Sequence, residues 1–271
     1  MRILHLSDLH LNSAWLDWAR LQAPEFNLVC VSGDLLDMFS REGPLQGMVK
    51  VKRWVQTFPG KLALCSGNHD ANCAEAVPDP CLLPKVPKGD RAEAEKLMML
   101  ERWMDALGRP GIVVTDGCSE ILETDGGRIV ITTIPYDFTA VTWRRDLWRL
   151  GAQQRRETGA PWIVLHHDPP SDSRVGGEFG NSGLSSLVNT YRPDFLLSGH
   201  MHLQPYRGDF LDRLGRTWCF NPGAAQETGV PFTHEPNHII LDLAEHTATW
   251  RFRVLGSCEM RSRTRLTQVG L

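Results

Sequence analysis

The sequence lacks any apolar run near the roughly 18 residues that a membrane-spanning helix needs, so no membrane partner is expected. It lacks a CxxC pair, and its seven cysteines are an odd number, which argues against a thiolate zinc site or a full disulfide framework. Cys30, Cys65 and Cys219 sit inside apolar runs and read as small buried residues in a reducing compartment; Cys73 and Cys81 are the pair a disulfide would suit. An uninterrupted apolar leader is also missing, because His5, Asp8 and His10 break up the opening "MRILHLSDLHL". The expectation is a cytoplasmic protein. Repeats and long linkers are absent. Charge of either sign is not in excess: the formal net charge is −3, which gives no global footprint for nucleic acid and leaves only a local basic patch open.

What is present is a chain of 271 residues, long enough to bury a substantial core. Short apolar runs bounded by turn residues predict strands at 2–6, 26–32, 61–66, 162–167 and 194–199. Helical spacing predicts helices over 43–58, 91–108 and 140–157. This alternation argues an α/β architecture. Runs at 128–134, 216–220, 237–243 and 247–254 have no long helices between them, so the carboxyl-terminal part is expected to be mainly antiparallel. A single domain over 1–256 with a frayed tail over 257–271 is expected, and the Pro-rich stretch 71–90 reads as a long loop.

The residues after the strands carry the chemistry. Asp8 and His10 follow the first run, Asp34 and Asp37 the second, and "GNHD" (Gly67, Asn68, His69, Asp70) the third. His166, His167 and Asp168 follow the fourth, and His200 and His202 the fifth. Any one of these clusters suits an ordinary cap or turn. Five together, at the strand ends that form the ligand crevice of open α/β sheets, point to a metal site. Aspartate and imidazole suit Mn, Fe, Co, Ni and Zn. In an extended segment residues two apart point the same way, so Asp8 with His10, and His200 with His202, are expected to converge. The chemistry fits two metal ions.

The ordered set "DLH" (8–10), "GDLLD" (33–37), "GNHD" (67–70), His166 and "GHMH" (199–202) resembles the calcineurin-like metallophosphoesterase superfamily. "SDLHL" with "GDLLD" also resembles the SbcD/Mre11 nuclease branch, and "NPGA" (221–224) resembles a turn found after GHxH in bacterial members. The resemblance implies a four-layer α/β/β/α sandwich with two mixed sheets and a dinuclear centre of divalent or trivalent transition metals, manganese first, with Fe, Zn, Ni and Co as others. It implies one metal on Asp8, His10, Asp34 and His202, and a second on Asp34, Asn68, His166 and His200, with Asp34 bridging. The pair "HH" leaves a choice; the family habit of using the first histidine favours His166 and leaves His167 near the substrate or the core. His69 is placed beside the substrate as a catalytic residue, with Asp70 orienting its ring.

The resemblance implies hydrolysis of phosphate esters, diesters ahead of monoesters, with a nucleotide or nucleic acid among the possible substrates. A DNA or RNA nuclease is the alternative enzyme, and a non-catalytic scaffold the alternative class. For the nuclease, Arg144, Arg145, Arg149, Arg155 and Arg156 with Trp143 and Trp148 offer a basic, aromatic helix. An ordinary amphipathic helix, with Trp143, Leu147 and Leu150 facing the core, explains the same spacing. Asp37, Asp168, His5, His234, His238 and His246 admit structural roles.

Overall fold

Five parallel runs with both faces buried set the architecture. In the computed structural model, which describes residues 1–77, 79–136, 144–224, 235–252 and 260–266, strands β1 (Arg2–Leu6), β2 (Leu28–Ser32), β3 (Leu62–Cys65) and β4 (Val113–Val114) lie parallel in that order. Strands β6 (Gly127–Thr133), β7 (Trp162–Leu165) and β8 (Phe195–Leu197) form the parallel part of a second sheet. The first sheet is completed by β11 (His238–Asp242), antiparallel to β1, then β12 (Thr247–Phe252) and β13 (Met260–Arg265), each antiparallel to the strand before it. The second gains β5 (Ser119–Thr124), antiparallel to β6, and β10 (Thr217–Phe220), parallel to β8 and antiparallel to β9 (Leu211–Leu214).

The two-residue period of each strand feeds two different cores. Leu4, Leu6, Val29, Val31, Leu62 and Leu64 face helices α1 (Ser13–Gln22), α2 (Pro44–Gln56), α3 (Asn68–Ala76) and α4 (Arg91–Met98). Their neighbours Ile3, Leu28, Cys30, Ala63 and Cys65 face the second sheet, meeting Ile129, Ile131, Ile163, Leu165 and Leu197. Val130, Trp162, Val164 and Leu196 face α5 (Arg145–Thr158) and α6 (Ser182–Tyr191). The result is a four-layer α/β/β/α sandwich of two mixed sheets. No helix among the described residues is long and apolar enough to cross a membrane.

The structure departs from the sequence reading in several places. The stretch 71–90 is not one loop: α3 runs to Ala76, and short 3-10 turns occupy Pro80–Lys85 and Lys88–Asp90. The expected helix 91–108 stops at Met98, and a 3-10 turn over Trp103–Leu107 buries Trp103, Met104 and Leu107. Within the expected tail, Met260–Arg265 is a full strand on β12, because its edge hydrogen bonds had a partner available. Cys73 and Cys81 are unpaired, as are the other described cysteines.

Helix α5 is amphipathic in a specific sense. Leu147 and Trp148 are buried, whereas Leu150 is exposed, so Trp148 and not Leu150 joins the core. Gly151 lets the helix approach β6 and β7; a Cβ there would lie 2.4 Å from Thr132 Oγ1 and 2.7 Å from the Trp162 ring. Arg155 makes a two-pronged ion pair with buried Asp194, at 2.8 and 2.7 Å. Trp143 lies outside the described residues. The buried Trp148 ring is therefore not a stacking surface. Trp148→Ala should lower the unfolding free energy by about 3–5 kcal/mol in urea titrations; an unaltered midpoint would contradict its place in the core.

Candidate metal centre

The loops after β1 and β2 are laced together by backbone hydrogen bonds. Asp8 N–H donates to Gly33 O (3.1 Å), His10 N–H to Asp34 O (2.9 Å) and Leu11 N–H to Leu35 O (2.9 Å). This lacing holds Asp8, His10, Leu11 and Asp34 at positive φ, between 44° and 56°. Such left-handed backbone costs on the order of 1 kcal/mol or more per residue outside glycine. Asp8 and His10 thus converge through a left-handed loop. The alternation of an extended strand, expected from the sequence, is not what brings them together.

Asp8 is 0% exposed and Asp34 1%. Their carboxylates draw the imidazoles inward. His202 Nε2 is 2.9 Å from Asp8 Oδ1. Asp34 Oδ2 is 3.9 Å from His10 Nε2 on one side and 3.3 Å from His167 Nε2 on the other. Donor atoms of Asp8, His10, Asp34 and His202 all lie within 4.8 Å of one another. On the far side, Asn68 Oδ1 is 3.0 Å from His167 Nε2 and 2.9 Å from His200 Nδ1.

The structure brings His167, and not the expected His166, beside Asn68 and Asp34. Parity explains it. His167 continues the face of Ile163 and Leu165, which looks into the space between the sheets, and its Nδ1 is 2.8 Å from Ser32 O. His166 continues the face of Trp162 and Val164. Its Nδ1 is 3.1 Å from Asp168 O, and its buried Nε2 has no hydrogen-bond partner among the described residues.

Asp70 is also reassigned. Its carboxylate accepts from the N–H groups of Gly67 (2.8 Å), Leu36 (2.8 Å) and Leu35 (3.2 Å). It clamps the start of α3 to the loop after β2, and none of its described bonds reaches His69. Burial, with Asp34 nearby, pushes Asp70 up to about 7, against the pull of those three N–H groups. His69 is instead fixed by Met38, whose N–H donates to Nδ1 (3.2 Å), with Asp37 Oδ1 at 3.6 Å. The sequence reading missed this backbone contact, because a main-chain donor leaves no residue-type signal.

The remaining candidates fall into place. His5 is a core histidine bonded to Ser32 Oγ (2.8 Å), and burial lowers it to about 3. His238 is buried against Trp18, and His246 sits in a turn between β11 and β12; His234 lies outside the described residues. The Asp168 carboxylate accepts from Asn181 Nδ2 (3.2 Å), and Asn181 caps α6. Asn221 of the "NPGA" turn donates to Met201 O (3.1 Å), bracing the loop that carries His202.

These residues fit two transition-metal ions. The donor set mixes carboxylate, amide oxygen and imidazole, with no thiolate. His10 Nε2 is buried without a hydrogen-bond partner among the described residues. Burial alone would push His167 down, yet Asp34 and Asp8 override it and hold the ring up at about 10, so the carboxylates call for positive charge at this point. The space is kept clear by glycine. A Cβ at Gly67 would lie 2.2 Å from Asp34 Oδ1, and one at Gly199 would lie 2.7 Å from Asp8 Oδ2.

Comparison with known proteins agrees. The calcineurin-like phosphoesterase family model matches residues 1–204, and the chain belongs to this family. It is thereby a metal-dependent phosphoesterase of a family that uses a dinuclear centre. Its fold is similar to that of TT1561 from Thermus thermophilus, at 17% identity over 90% of this chain and 94% of that one, TM-score 0.57. The purple acid phosphatase PPD1 from yellow lupin aligns at 13% identity over 97% of this chain and 53% of that one, TM-score 0.48. YfkN from Bacillus subtilis aligns at 13% identity over 98% and 90%, TM-score 0.44. No curated protein matches the sequence.

The two histidines give a direct check. After loading with a divalent transition metal, His167→Ala should retain less metal per chain than wild type, measured by inductively coupled plasma mass spectrometry, while His166→Ala should match wild type. The reverse pattern would favour His166 as the ligand.

Proposed function

We propose that this chain hydrolyses phosphodiesters ahead of phosphomonoesters, by in-line displacement at phosphorus. The observation that carries this reading is Asp34, whose Oδ2 faces His10 on one side and His167 on the other. Asp8, His10, Asp34 and His202 would hold one cation, and Asp34, Asn68, His167 and His200 the second. Manganese is the first candidate for both. Two such cations, when bound, supply activation of water and neutralise charge on the phosphoryl oxygens.

The chain's own residues do the rest. Because Met38 N–H donates to His69 Nδ1, the proton of the neutral ring belongs on Nε2. Nε2–H is the donor that His69 would offer to the leaving oxygen, as a hydrogen bond that strengthens while negative charge develops there. Asp37 Oδ1 stands 3.6 Å from Nδ1 on the same side of the ring. Asp70 keeps the loops carrying Asp34 and His69 in register. A cleft of about 320 Å³ is lined in part by Ser66, Asp70, Tyr136, Trp103, Arg102 and Arg144. The Tyr136 ring is 5.8 Å from that of His167. Room for a second ester substituent supports the diester preference. The unpaired cysteines support a reducing, cytoplasmic setting.

The test is metal-depleted protein reconstituted with Mn, Fe, Ni or Zn. It is assayed on an aryl monoester, an aryl diester, cyclic nucleotides, and single- and double-stranded DNA. Turnover of the diester should exceed that of the monoester; no turnover with any metal sinks the proposal. In the same assay His69→Ala should lower kcat by about 10²–10⁴-fold while still binding two metals. Full activity, or loss of both metals, would remove His69 from this role.

A further inference from the structure

Phe39 is 79% exposed, and Met38 beside it is 42% exposed. Scattered apolar residues on a surface need no explanation. These two are not scattered. They form the tip of the loop after β2, next to His69, the residue proposed to hydrogen-bond the leaving oxygen.

The backbone of this tip is fixed while its apolar side chains stay in solvent. Phe39 N–H donates to Asp37 Oδ1 (2.9 Å), and Met38 N–H to His69 Nδ1 (3.2 Å). Asn72 Nδ2 lies 3.6 Å from Met38 Sδ, tying the tip to α3 as well. The Phe39 ring sits 5.6 Å from the His69 ring at 81°. His69 in turn lies 4.5 Å from the His10 ring, ring centre to ring centre. A line of rings thus runs outward from the metal ligand His10, through His69, to an open phenyl face.

We infer that Phe39, with Met38, forms a subsite for a flat aromatic ring carried by the leaving group of the phosphate ester. The inference rests on the reading of His69 given above. An aromatic face at the mouth of a site attracts another ring through stacking and through removal of both faces from water. The position next to His69 assigns that ring to the leaving group. The cleft lined by Tyr136 and Arg144 is then left for the other ester substituent. An aryl group and a nucleobase share this chemistry.

The experiment is calorimetric binding to the manganese-loaded full chain, which needs no turnover. Phenylphosphonate and methylphosphonate are compared on wild type, Phe39→Leu and Phe39→Trp. Wild type should prefer the phenyl compound roughly 5-fold or more. Phe39→Leu, which keeps an apolar side chain, should abolish most of that ratio, and Phe39→Trp should keep it. A nucleoside 5′-phosphonate and its base-free counterpart form a second pair; the pair with the larger Phe39-dependent ratio identifies the ring as nucleobase or simple aryl. An unaltered ratio in Phe39→Leu overturns the subsite, as does loss of the ratio in Phe39→Trp. Methylphosphonate binding without a phenyl preference in wild type defeats the subsite alone. Failure of wild type to bind any phosphonate defeats the anion-binding centre as well.

Discussion

Two carboxylates, Asp8 and Asp34, are buried at the ends of adjacent parallel strands. Burying an ionised carboxylate costs several kcal/mol unless opposite charge or hydrogen bonds compensate. Burial alone would raise both pKa values, yet His202, His167 and His10 outweigh it and hold Asp8 well below the carboxylate range. Asp34 is held down in the same way, with His167 the leading partner. The site is therefore a concentration of negative charge that imidazoles balance at short range, helped by the N–H groups of His69 on Asp34 (2.9 Å) and His200 on Asp8 (3.3 Å). A pair of cations would balance it better, and the other features around it keep that space available.

Those features are costs accepted elsewhere in the chain. Asp8, His10, Asp34 and His200 sit at positive φ, and Gly33 at +92° lies where a Cβ would strike the His167 ring at 2.3 Å. Gly67 has an ordinary extended φ of −116°, so glycine is required there by close approach to Asp34 and not by backbone handedness. Asp70 then ties the glycine and the loop after β2 with three accepted hydrogen bonds. Asn68 and His69 leave this clamp in different directions. Asn68 turns toward His167 and His200, and His69 toward Met38 and Asp37.

Much of this was legible in the sequence, and the failures have physical causes. The apolar runs marked the buried parallel strands well, because such strands need no polar face. The two-residue strand Val113–Val114 and the edge strand Leu211–Leu214 were too short or too polar to stand out. Helix α3 was missed because its amino-terminal signal is a bare glycine with an acid three residues on, inside a stretch weak in apolar spacing. Most candidate ligands do converge, since strand ends were the right place to look. The structure sets His167 rather than His166 beside Asn68 and Asp34, and "WIVLHH", apolar on both faces, gave no sign of it. Sequence alone cannot say which face looks between the sheets, and Ile163 and Leu165 reveal it only once the sandwich is assembled. Asp70 misled for a similar reason: its neighbour in sequence is His69, but its partners Leu36 and Leu35 are 34 and 35 residues away.

The central claim is that buried Asp34 joins two metal positions. Anomalous diffraction at the manganese edge, from crystals grown with that metal, tests it most directly. The account predicts two peaks about 3.5–4 Å apart, both touching Asp34, one completed by Asp8, His10 and His202 and the other by Asn68, His167 and His200. A single peak, or a second peak on His166 away from Asp34, would contradict it.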